Sequence, residues 1–164
     1  MITIEIKDDA IAEALARVAA ALTDMRPLMH DMGLYLVRST KQRFPEGVAP
    51  DGTPWAPKSS STVEAYQRRG DPVSFRPLIG PTRALSTTIS HEAGSDFVRW
   101  GSNRIQAAVM QFGAAKGAFG RMANGSPIPW GAIPARPFLG LSEQDRTAIL
   151  DIVGEWLDGV AAGS

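Results

Sequence analysis

Two histidines are the only imidazoles in the chain, and acid–base chemistry near neutral pH falls most often to that side chain. His30 stands beside Asp31 in a helically patterned segment, and neighbours along a helix point away from each other, so the two form no relay or ligand pair. His91 falls at the expected turn of a hairpin. A hydroxyl nucleophile needs a base within reach and a turn that stabilises an oxyanion. Ser59, Ser60 and Ser61 lie in a flexible run without that elbow. Glu92, Asp96 and Asp145 have no spacing that forces two carboxylates together. Gly113, Gly117 and Gly120 superficially match a phosphate-cradling loop, but no Gly-Lys-Ser or Gly-Lys-Thr follows and no strand-turn-helix unit surrounds them. The residues therefore predict no catalytic group, no cofactor, no metal site and no enzymatic activity.

Binding is the remaining class of function, and charge limits its form. The 17 Lys and Arg balance 17 Asp and Glu, whereas a dedicated nucleic-acid binder carries a basic excess that neutralises phosphates. Arg68, Arg69 and Arg76, or Lys116 with Arg121, read first as solvated surface. A DNA-contacting connector, or a nucleic-acid-binding accessory protein, is the alternative that these clusters leave open.

Two proline-stiffened segments are the most specific features. In Asp51-Gly52-Thr53-Pro54-Trp55-Ala56-Pro57, a turn dipeptide and two prolines hold Trp55 on a rigid, non-helical stretch. In Ile133-Pro134-Ala135-Arg136-Pro137-Phe138-Leu139-Gly140-Leu141-Ser142, prolines again extend the chain around a fork of guanidinium donors and two apolar side chains. Each aromatic has two destinations: the chain's own core, or a pocket on another molecule.

Together with Phe44, the Ser59 to Thr62 run, Pro77-Leu78-Ile79, Leu85-Ser86-Thr87-Thr88-Ile89, Val98-Arg99-Trp100-Gly101 and Gln111-Phe112-Gly113, these segments occur in the order found in the phage virion morphogenesis family. The chain resembles that family, the tail completion proteins of P2-like and Mu-like bacteriophages, over nearly its whole length. One departure is Met110, where members often carry His before Gln-Phe-Gly. It favours a packing role at that position.

The resemblance implies a structural protein that finishes the head-proximal end of a tail and makes it competent to join a DNA-filled head. Its partners would be other tail or neck proteins and copies of itself, with closure into a ring where the rotation permits. It would act in the host bacterial cytoplasm during assembly and reside in the virion tail. Asp51, Trp55, Pro57, Gln111, Phe112, Arg136, Pro137 and Phe138 are the interface candidates.

The elements that position these residues read as one α+β domain over residues 1–164: a small, mostly antiparallel sheet, about three helices, and long Pro/Gly-rich loops over residues 44–81 and 113–132. Its hydrophobic fraction of 44% suits one core. The absence of cysteine removes disulfides and thiolate sites. No stretch has the length and apolarity of a membrane span or a signal peptide.

Ile2, Ile4 and Ile6 alternate as a strand, and Asp8 caps a helix with Ile11, Leu15, Val18 and Leu22 on one face. A second helix runs from about Pro27 to Arg43 with Leu28, Met29, Met32, Tyr35 and Leu36 inward, and Pro45 lies just past its end. A short helix over Thr62 to Arg68 interrupts the first loop. Leu85, Thr87 and Ile89 alternate, and with Phe97 to Trp100 they predict a β-hairpin. A short helix over Ile105 to Phe112 packs through Val109 and Phe112. Gly113 to Gly131 reads as a mobile loop that orders on assembly. Ser142 opens a final helix to about Asp158, in a near capping box, with Gly159 to Ser164 fraying.

Overall fold

The computed structural model describes residues 9–163. The strand expected over Ile2 to Ile6 and the Asp8 cap lie outside the described residues.

Helix α1 (Asp9–Ala21) leads to α2 (Arg26–Glu46), the central element, which packs against the hairpin, the last helix and a short helical turn. Leu28, Gly33, Leu36, Thr40, Arg43 and Phe44 form its buried stripe, at the spacing of a helix face. The helix continues through Pro45 and stops at Gly47, whose φ of 77° is left-handed and whose N–H reaches the Arg43 carbonyl. Glycine ends the helix because it adopts this conformation without a Cβ clash. Pro45 is tolerated because the carbonyl that it leaves unpaired belongs to exposed Lys41, open to water.

Helix α3 (Ser60–Arg69) is capped by Ser59, whose side chain accepts from the Thr62 amide. The alternation over Leu85 to Ile89 belongs to a helical turn, α4 (Ala84–Thr87), and not to a strand. Leu85 and Ile89 are four residues apart, a spacing that suits one helix face as well as one strand face, and both are buried in the core. The strands begin later: β1 (Ser90–Ala93) pairs antiparallel with β2 (Val98–Gly101), setting His91 opposite Trp100. His91 thus lies within a strand and not at the turn. Helix α5 (Ala107–Phe112) follows, and α6 (Glu143–Ala162) closes the described chain.

The architecture is therefore α+β, with six helices and a two-stranded antiparallel sheet among the described residues. Phe44, Ala49, Trp55, Leu78, Leu85, Ile89 and Phe138 make the core. Helix α1 contributes no buried residue and packs on α6. Leu15 and Leu22 are exposed, and Val18 is half-buried, because Ala14, Val18 and Ala21 form the less exposed edge of this helix.

Helix α6 outruns its expected end at Asp158. It reaches Ala162, where the Arg17 guanidinium donates to the Ala161 carbonyl at 2.6 Å. Ser142 and Asp145 form a reciprocal capping box at its start, with the Asp145 amide donating to the Ser142 hydroxyl and the Ser142 amide to the Asp145 carboxylate. No helix among the described residues is long and apolar enough to cross a membrane.

Candidate functional site

The two proline-stiffened segments meet over the end of α2. The Phe44 ring has Trp55 edge-on at 5.7 Å and Phe138 at 5.6 Å between centroids, separations that suit tilted aromatic packing. The Trp55 indole N–H donates to the Pro137 carbonyl at 2.8 Å. Arg136 completes the crossing: its Nε and a terminal nitrogen donate to the carbonyls of Ala56 and Pro57, each at 2.7 Å. Its own amide donates to the Met110 carbonyl. Burial pulls the Arg136 pKa below its ordinary value, because the charged form loses hydration.

Gln111 ties the second segment to α5. Its side-chain oxygen accepts from the amides of Phe138 and Leu139, and its amide nitrogen donates to the Leu139 carbonyl, all at 3.0 Å. One primary amide thus supplies both donor and acceptor to an extended backbone that pairs with no strand among the described residues.

The structure therefore brings Trp55, Pro57, Gln111, Arg136, Pro137 and Phe138 together and leaves two candidates apart. Trp55, Arg136 and Phe138, expected to dock on neighbours, are buried against one another within the chain. Asp51 is exposed; its carboxylate accepts from the Thr53 amide at 2.9 Å, which lowers its pKa and holds the turn before Trp55. Phe112, expected to pack α5, is instead 78% exposed, because the helix presents Ala107 and Met110 to the core.

Sequence spacing does not reveal a second junction. Asp145 accepts from Arg43, from the Ser39 hydroxyl and from the Ser142 amide, with Arg43 also donating to the Phe138 and Gly140 carbonyls. Both members of this ion pair are buried. Burial pushes the Asp145 carboxyl upward, but its hydrogen bonds and the Arg43 charge outweigh this and hold it below the usual carboxylate range. The available signal was the capping position of Asp145; the partner on α2 had none.

Lys58 is a third such group. Its ammonium donates to the carbonyls of Ser74, Arg76 and Ile79, using its three donors to hold the loop before α4. Burial, with the nearby Arg136 charge, lowers its pKa.

The stretch from Gly113 to Gly131 folds back as an arm. Backbone pairing of Ala114 with Ile133 closes its base, and Phe119 with Ile128 and Met122 with Ser126 join its limbs. Gly117, Gly120 and Gly125 take positive φ and permit the reversal. Two large rings stand on this arm in solvent: Phe119, 57% exposed, and Trp130, 72% exposed. From Phe97 to Ser142 the chain holds no acid and five cations, namely Arg99, Arg104, Lys116, Arg121 and Arg136.

Elsewhere, His91 Nε2 lies 3.1 Å from His30 Nδ1. No group of three or more metal-ligating side chains occurs among the described residues. The fold is an aromatic clasp with a basic arm that carries two exposed rings, and Arg43, Lys58, Gln111 and Arg136 use their side chains to hold backbone.

The model of the phage virion morphogenesis family matches residues 6–158, and the chain belongs to that family. It is 30% identical over 151 residues to the putative capsid assembly protein G of Escherichia phage Mu, covering 87% of this chain and 90% of that protein. It is 31% identical over 157 residues to the Mu-like prophage FluMu G protein 2 of Haemophilus influenzae, covering 95% and 96%. It is 31% identical over 128 residues to the tail completion protein S of Escherichia phage P2, covering 78% and 81%. No solved structure matches.

Proposed function

We propose that this chain is an assembly protein that completes the end of a bacteriophage tail and enables head–tail joining, acting through protein–protein binding alone. The observation that carries the reading is family membership over residues 6–158, with a tail completion protein among the similar chains. The structure supports it in kind: polar side chains in the interior fasten backbone, as Gln111 and Arg136 do, while large apolar side chains are left outside on Phe112, Phe119 and Trp130. Aromatic side chains are enriched at protein–protein contacts.

The clasp keeps the domain rigid, and the arm meets tail or neck proteins. Work of this kind takes place in the host cytoplasm during assembly and leaves the chain in the virion tail.

Electron microscopy of lysates from a phage lacking this gene, with and without the gene supplied in trans, tests the role. Full heads beside unjoined tails, rescued by the intact gene, are expected. Normal infectious particles without the gene refute it.

A further inference from the structure

We infer that the arm of one copy docks head to tail on the outer face of α6 of a second copy. The inference rests on the assembly reading above and adds the partner and the two surfaces. The arm, residues 114–133, carries Lys116 and Arg121, no acid, and the exposed rings of Phe119 and Trp130. Its backbone hydrogen bonds run between its own limbs. Those rings have no place in the chain's own core.

The outer face of α6 has the opposite character. Leu150 is 70% exposed, and Asp151, Glu155 and Asp158 lie beside it in solvent. None of these three acids has an ion-pair partner among the described residues. The one cation of α6, Arg146, sits near its start and faces Glu143 at 3.4 Å. At 100° per residue, Leu150, Asp151, Gly154 and Asp158 fall on one side of the helix.

Gly154 sharpens the case. A glycine inside a helix is unfavourable relative to alanine, and apart from its chain neighbours and the backbone of its own helix no atom of the described chain stands within 4 Å of where its Cβ would project. No close packing among the described residues calls for a glycine there. A flat place between an exposed leucine and two acids is suited to close approach by an aromatic ring flanked by cations.

Charge selects both the partner and the geometry. Arm against arm, or face against face, would set like charges together; arm against face pairs Lys116 and Arg121 with Asp151, Glu155 and Asp158. The interface therefore joins two different patches, the arrangement that closes into rings or extends as a filament. Two cations would neutralise few phosphates, whereas the apolar part of the arm finds a counterpart in Leu150.

Sedimentation velocity on the purified full chain tests this at low and high salt, with far-ultraviolet circular dichroism checking the fold. The wild-type chain should associate with concentration, and less so in high salt. The charge reversals Lys116→Glu with Arg121→Glu, and Asp151→Lys with Asp158→Lys, should each weaken association at least tenfold. A 1:1 mixture of the two variants should assemble again, because each arm then meets a face of opposite sign. Should a reversal unfold the chain, the alanine versions test the weakening, and their 1:1 mixture should recover only a one-to-one pair, through the basic arm of one variant and the acidic face of the other.

A wild-type chain that stays monomeric at its highest soluble concentration overturns the inference, as does a mixture that fails to recover. Retention on duplex DNA lost only in the arm variant, with association unchanged, would instead make the arm a nucleic-acid surface. A monomeric chain that still rescues head–tail joining overturns the pairing and leaves the assembly role standing.

Discussion

Replacing Trp55 by alanine separates a core aromatic from an interface anchor. The indole is buried beside Phe44, and its N–H is paired with the Pro137 carbonyl. Truncating a buried Trp or Phe to alanine costs about 3–5 kcal/mol through lost transfer energy and the cavity left behind. For a domain of this size each kcal/mol moves the melting temperature by about 2–4 °C, so Trp55→Ala should melt about 6–20 °C lower. Trp55→Phe keeps a ring and removes the N–H, leaving a partly buried carbonyl without its donor, and should cost about 1–3 kcal/mol. Urea titration followed by far-ultraviolet circular dichroism measures both, with an unchanged slope showing that stability alone has moved. If Trp55→Ala keeps its midpoint within about 1 kcal/mol of wild type while losing assembly, the ring is an anchor and the clasp described here is wrong.

Asp145→Asn should destabilise by about 3–5 kcal/mol, since it leaves the Arg43 guanidinium buried without its carboxylate. The pH profile carries a signed counterpart. The folded pKa of Asp145 lies below its ordinary value of 3.8, so its contribution is fully present above that value and is lost as pH falls through the folded pKa. Urea midpoints should therefore fall at the acid end in the wild type and fall less there in the variant. Gln111→Leu leaves the amides of Phe138 and Leu139 and the Leu139 carbonyl unpaired, at about 1–3 kcal/mol for each group that stays dry. Gln111→Glu, which retains the acceptor, should lose less in a thermal melt.

Local rules made part of this molecule readable. The capping box at Ser142 and the helix after Ser59 each depend on residues within a few positions of one another, and they stand as the sequence implies; of the stripe expected on α2 only Leu28 and Leu36 are buried, Met29, Met32 and Tyr35 being half-buried while Gly33, Thr40, Arg43 and Phe44 complete the inward face. The misplaced strand over Leu85 to Ile89 shows the limit of periodicity, because a spacing of four serves both regular structures. The site was legible as a set of residue types and not as a geometry. Nothing in Asp-Gly-Thr-Pro-Trp says that its ring will meet Pro-Phe-Leu and not a neighbour, since burial is a tertiary outcome. The pairing of Arg43 with Asp145 joins residues 102 apart, and single-sequence spacing carries no signal over that range. The rings of Phe112, Phe119 and Trp130 were visible as residues but not as surface.

The clasp also sets an order of events during synthesis. Trp55 finds its hydrogen-bond partner 82 residues further along the chain, and Arg43 finds its carbonyl at Phe138 after 95. A ribosome must therefore deliver most of this chain before Phe44, Leu78 and Leu85 can be sealed from water. Until then the nascent chain carries an unfinished apolar surface, the state in which aggregation competes with folding. Release before Phe138 has been made yields a fragment with no closed core, so burial of the aromatic cluster waits on that late segment.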